Sequence, residues 1–219
     1  GHGHGTHCSG VIGAQHNSIG IRGVMAKVKI LPIQFLSARG SGTLEGAVRA
    51  IDYAVKRGVN IMSNSWGGGG DAKALKEAIS LAEEAGILFV AAAGNNSSNN
   101  DKTTTIPASI DLDNILAVGA MDGRGKKARF SNYGKNTVDV FAPGVKIYST
   151  VRNNKYQNMS GTSMSCPVVS GVAGLIWSKE PELTYSDVKK RLMDNTHRGM
   201  RLDKFSASGY IDAFKALTN

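Results

Sequence analysis

Short apolar runs alternate with helix-period segments along almost the whole of this chain, and that alternation restricts the fold more than any other feature. Val28 to Gln34, Val59 to Ser63, Ile87 to Ala93 and Ile115 to Ala120 read as strands, with shorter ones near Val138 to Phe141 and Val145 to Thr150. Between them, Leu44 to Lys56 sets Leu44, Ala47, Val48, Ile51, Ala54 and Val55 on one helical face, and Ala72 to Ala85 is a second helix that Gly86 stops. Helices are also predicted from His4, from Ser186 to Asp194 and from Ile211. Alternation of this kind makes an α/β protein with a mostly parallel central sheet and helices on both faces. Hydrophobic residues form 41% of the chain but aromatics only 6%, the aliphatic core that covered parallel strands use. With 219 residues, no repeats and no linker, one domain is expected over 1–219.

A net charge of +9 raises the question of an acidic partner. No basic cluster is interleaved with aromatics, so no nucleic-acid partner is expected; Arg124, Lys126, Lys127 and Arg129 read as a solvated loop. The longest apolar run, Ile87 to Ala93, is far short of the ~20 residues a spanning helix needs, so no membrane partner is expected either. Cys8 and Cys166 cannot build a disulfide framework and read as buried thiols.

Met159 to Pro167 joins a polar turn to the small-residue apolar run Val168 to Trp177, which reads as a buried helix. Ser163 then sits at a helix mouth, where unpaired N–H groups and the macrodipole favour a developing anion. Pro167 cannot donate to the Ser163 carbonyl, so the first turn is expected to loosen there. By itself this stretch is better read as a serine-capped core helix. Two others point to chemistry: Gly3 to Gly10 sets a histidine ahead of a helical run, and Ala91-Ala92-Ala93-Gly94-Asn95 ends an apolar strand in Gly-Asn. A base, a nucleophile and a side-chain amide at strand–helix junctions are the parts of an acyl-transfer site.

The three motifs, HGTH, AAAGN and GTSM, in that order, closely resemble those of the subtilisin-like serine proteases, the subtilase family, from Gly3 to about Ala213. The resemblance implies a serine endopeptidase with Ser163 as nucleophile, His4 as base and Asn95 as oxyanion donor. His7 is then a packed histidine one turn on, and a metal reading of His2, His4, His7 and Cys8 matches no metal-motif spacing. Protein or peptide substrates would bind as an extended strand between Gly40-Ser41-Gly42 and Ser65-Trp66-Gly67, with Gly94 flanking the first pocket, Thr103 to Ile106 near its base, and Leu44 and Trp66 lining apolar subsites. No carboxylate falls on the Ser65–Gly67 or Gly94–Asn95 walls, so apolar or uncharged side chains are expected before the scissile bond. Ser-Asn-Ser-Trp-Gly at 63–67 also resembles the proprotein-processing branch, which cleaves after basic residues.

By the same resemblance Gln15, Asn17, Ile19 and Ile21 supply four oxygens to a structural calcium ion, and the enzyme is secreted, with an N-terminal prodomain or upstream fragment as a further partner. A subtilase triad runs Asp, His, Ser. No downstream aspartate lies in a matching motif: Asp52 is on a helix, Asp71 opens one, and Asp139 precedes Phe141-Ala142-Pro143-Gly144. The expectation is a catalytic domain incomplete at its N-terminus, lacking at least one strand–helix unit and weak or inactive without it. A non-catalytic scaffold that binds extended peptides is the rival reading.

Overall fold

The computed structural model describes residues 2–68, 72–198 and 202–219; Asp71, read above as a helix start, lies outside them, as do Gly69 and Gly70. Helix α1 (His4–Gly13) and α2 (Leu44–Lys56) precede β1 (Ile61–Asn64); α3 (Ala72–Glu84), β2 (Leu88–Ala92), β3 (Ile115–Met121) and β4 (Val140–Pro143) follow. Then come the hairpin β5 (Ile147–Val151) and β6 (Lys155–Met159), α4 (Thr162–Lys179), α5 (Tyr185–Asp194), β7 (Thr196–His197), β8 (Tyr210–Ile211) and α6 (Ala213–Thr218). The six-stranded sheet runs β1-β2-β3-β4-β8-β7, parallel from β1 to β8, with β7 antiparallel at the far edge.

Because side chains alternate across a strand, β2 and β3 feed two cores at once. Leu88, Val90 and Ala92 with Leu116 and Val118 pack against Val169, Val172, Ala173 and Ile176 of α4. Phe89 and Ala91 with Ile115 and Ala117 face Ala47, Ile51 and Ala54 of α2 and Leu75, Ala78 and Ile79 of α3. Helix α2 is amphipathic and starts on Thr43, whose hydroxyl accepts the Gly46 N–H. Helix α4 is apolar all round because it is covered on its other side too: a Cβ on Gly171 would lie 2.6 Å from Val24, and one on Gly174 2.7 Å from the Met25 sulfur.

Three elements differ from expectation. The segment 28–34 joins no ladder among the described residues, and Val28, Ile30 and Leu31 stay 37–39% exposed. Ile33 and the neighbouring Phe35 reach the α2–α3 core, and Val28 and Ile30 border Gly13. The outer edge of β1 is equally unpaired among the described residues. The strand at Ile147 leaves the main sheet to pair antiparallel with β6, a polar strand that hydrophobic periodicity passes over. The signal for that hairpin is Asn153-Asn154, both at positive φ (63° and 54°), a conformation asparagine tolerates in tight turns.

Candidate active site

The site lies beyond the carboxyl ends of β1 and β2, where parallel α/β sheets open a crevice. Gly161 caps α4, so Ser163 is in the first turn and its N–H has no intrahelical partner. Helix α4 runs unbroken through Pro167 instead of loosening. The carbonyl that proline orphans, that of Ser163, accepts the Ser65 hydroxyl at 2.8 Å and the Cys8 thiol at 3.4 Å. One missing N–H thereby gathers two distant segments around the serine.

Asn95 is oriented by the same turn. Its Oδ1 accepts the Thr162 N–H at 2.8 Å and the Thr162 hydroxyl at 3.1 Å, and Thr162 Oγ1 in turn accepts the Gly94 N–H at 3.2 Å. With its oxygen committed, the amide has Nδ2 left to donate. A single point, the Cβ position of Gly161, is 3.5 Å from that Nδ2, 3.6 Å from the Ser163 nitrogen and 3.7 Å from the Asn95 Oδ1, so both nitrogens border the same small space. Behind them, buried Asn132 accepts the N–H groups of Asn96 and Ser98 and donates to Asn100 and Thr105, while its own N–H binds the Gly94 carbonyl. Gly94, at φ 107°, leaves no room for a Cβ, which would sit 2.5 Å from Asn132 Nδ2.

His4 opens α1, and its Nδ1 has Cys8 Sγ one helical turn away at 3.9 Å. Cys8 therefore touches both the histidine and the serine's backbone. The Ser163 hydroxyl donates to the Ser65 carbonyl at 3.2 Å. Burial, with smaller contributions from His2 and His7, holds the His4 imidazole below its usual pKa. Burial pushes the Cys8 thiol up to about 12 and raises Cys166 as well, so neither is a ready thiolate. The two cysteines are unbridged. His7 is fully buried, its Nε2 shared between the carbonyls of Ile147 and Gln157, which ties α1 to the β5–β6 hairpin.

The two flanking segments are linked by Phe35, which sequence reasoning missed. It lies against Gly42, whose Cβ would meet its carbonyl at 2.9 Å, and its ring meets Trp66 edge-on at 5.1 Å. Gly40 turns at φ 79° while the Ser37 N–H binds the Ser41 carbonyl. Gly68 pairs with Ile106 in an antiparallel bridge, so the 103–106 segment closes against the strand carrying Ser65, Trp66 and Gly67. Leu44 is exposed at the start of α2.

No carboxylate among the described residues contacts His4. Asp52 is paired with Lys56 on the outer face of α2, and half-buried Asp139 accepts the Ala117 N–H, its pKa raised by desolvation. In the 15–21 loop the Gln15 carbonyl and Asn17 Oδ1 already accept backbone N–H groups, and His16 binds the Gly23 carbonyl. Four neutral oxygens there suit calcium in kind but fall short of the 6–8 ligands it takes, and no acidic or histidine cluster of metal-binding size occurs among the described residues.

A parallel α/β sheet with a serine at a helix mouth, an amide beside its N–H and a histidine close by defines a serine-hydrolase type of protein. The chain belongs to the subtilase family, whose model matches residues 1–210. It is 42% identical over 192 residues to subtilisin DY of Bacillus licheniformis, covering 88% of this chain and 69% of that protein. It is 37% identical over 190 residues to a thermostable alkaline protease of Halalkalibacterium halodurans, covering 87% of this chain and 51% of that one. The structure of the prenylagaramide maturation protease PagA superposes with a TM-score of 0.84 at 32% identity, covering 98% of this chain and 81% of that one.

Proposed function

We propose that this chain is the larger part of a secreted serine endopeptidase. The observation that carries this reading is the small space that Asn95 Nδ2 and the Ser163 nitrogen both border, beside a serine that Cys8 links to His4. In the mechanism these groups support, His4 Nε2 takes the Ser163 proton as Oγ attacks the peptide carbonyl. The carbonyl π electrons become an oxyanion that Asn95 Nδ2 and the Ser163 N–H stabilise. The intermediate collapses to an acyl-serine ester while protonated His4 gives its proton to the departing amine. Water then repeats the cycle with His4 as base, freeing the acid and Ser163.

The substrate would lie extended between Gly40-Ser41-Gly42 and Ser65-Trp66-Gly67. The uncharged walls at Ser65–Gly67 and Gly94–Asn95 favour an apolar or uncharged side chain before the scissile bond. The carboxylate partner of His4 is supplied by a strand from an upstream segment. The unpaired edge of β1 and the unladdered 28–34 segment support this, as does a His4 pKa with no carboxylate raising it. An upstream prodomain remains a partner of the same reading. Gln15, Asn17, Ile19 and Ile21 would contribute to a stabilising calcium ion whose other ligands come with that segment. No helix among the described residues is long and apolar enough to cross a membrane.

The test is labelling by a fluorophosphonate, with and without a fragment carrying the upstream region. Labelling confined to Ser163, rising with the fragment, supports the reading. Peptide binding without labelling in either form identifies a non-catalytic scaffold instead.

A further inference from the structure

The charge of this chain is not spread evenly. Residues 1–44 and 140–179 each hold four lysines or arginines and no carboxylate, so these two segments carry eight of the nine net positive charges. They supply His4 and Ser163, and the hairpin β5–β6 of the second packs on α1 of the first through His7. A cavity of about 140 Å³ opens there, lined by His2, Gly3, Arg152, Asn153, Gln157 and Met159. Arg152 lies over Gly3: a Cβ on that glycine would be 3.9 Å from its Cγ and 4.0 Å from its Nε. No described carboxylate forms an ion pair with Arg152.

The chemistry fixes which part of a substrate passes this cavity. The carbonyl side of the scissile bond is held at Asn95 and the Ser163 N–H, next to Gly94 and Ser65. The departing nitrogen must receive its proton from His4, so the peptide beyond the bond runs the other way, past the start of α1. Gly3 immediately precedes His4, and Met159 lies four residues before Ser163; both line the cavity, together with Arg152.

We propose that this cavity is a leaving-side subsite, and that Arg152 selects an acidic side chain within the first three residues after the scissile bond. The proposal rests on the serine-protease reading. Arg152 is a specificity residue and takes no part in the bond-making steps. Its guanidinium is exposed and fixed in charge, so the pair it forms is screened by salt.

The experiment uses the complete protein with quenched fluorescent peptides that carry Asp, Ala or Lys at each of those three positions in turn. At low salt, Asp at one of them is expected to exceed Lys about fivefold in kcat/KM, the size of an exposed charge contact. Arg152→Gln should bring the ratio close to one, Arg152→Glu should invert it, and 0.5 M salt should flatten it, a concentration at which the Debye length is only about 4 Å. An Asp/Lys ratio near one, or one that Arg152→Glu leaves unchanged, overturns the proposal. A second measurement does not depend on turnover. Binding of acidic and basic leaving-side peptides to the Ser163→Ala protein should differ by a similar factor, and Arg152→Glu should reverse the order. If fluorophosphonate labelling and cleavage both fail, the protease reading falls, and this binding comparison alone decides for or against the Arg152 subsite.

Discussion

The nucleophile side and the base side of this site are built to different standards. Around Ser163 and Asn95, Thr162, Gly94, Ser65 and Asn132 form a closed set of hydrogen bonds that leaves the two donors one orientation. Around His4, the described residues place the Cys8 thiol at 3.9 Å, the His2 ring edge-on at 6.4 Å and the packing of α1. On the proposed reading, the residues that would hold the oxyanion are bonded to one another, and the residue that would move the proton has no carboxylate partner among the described residues. That contrast teaches which parts of a catalytic site one stretch of chain can pre-organise alone, and which need another strand beside it.

Removing the nucleophile tests the finished half most severely. Ser163→Ala is expected to lower turnover about 10⁶-fold, the scale of that loss in a subtilisin, and to abolish fluorophosphonate labelling; labelling at Cys8 or Cys166 instead would falsify the assignment. Next comes the unfinished half: adding an upstream fragment that bears the carboxylate should raise turnover about 10⁴-fold or more, again the subtilisin scale. Full activity from residues 1–219 alone would erase the contrast and direct mutagenesis to Asp52 and Asp139. Asn95→Ala should cost about 10²–10³ in kcat, with KM nearly constant. Thr162→Val, which removes the hydroxyl bond to Asn95 and keeps the backbone one, should cost roughly three- to tenfold, the worth of a hydrogen bond. The last effect is a displacement of a pH profile. His4 must be neutral to act as base, and burial lowers its pKa, so the acid limb of kcat/KM should fall below the ordinary imidazole value of about 6.5. A carboxylate at Nδ1 stabilises the imidazolium, so supplying the upstream fragment should move that limb upward. A limb that stays still on addition would show that the fragment restores folding and not the His4 partner.

The same asymmetry governs what the sequence disclosed. Helix α2 and strands β2 and β3 were legible because each carries its own period and buries a full face. The 28–34 segment has the apolar pattern of a strand but finds no ladder among the described residues, and pattern alone cannot supply one. Strand β6 is polar because the hairpin is solvent-covered, and β7 and β8 are too short for any period. At the site, His4, Asn95 and Ser163 stand out by motif. Thr162, Asn132 and Phe35 act through contacts between residues 30 to 70 positions apart, which spacing does not encode. Ser65 was read as a wall for substrate, and its hydroxyl on the Ser163 carbonyl is a separate role.

That carbonyl has a consequence for how the molecule assembles. In an ordinary helix its acceptor would be filled by an N–H four residues on, as soon as the turn closed. Pro167 removes that local partner, and the replacements come from residues 8 and 65. The first turn of α4 therefore gains its last bonds only when chain segments about 100 and 155 positions away have docked. Contacts of that sequence separation form late and slowly. That first turn is thus among the last parts of the helix to become rigid, and a chain caught partway through folding carries a structured sheet while the backbone at Ser163 is still unfixed.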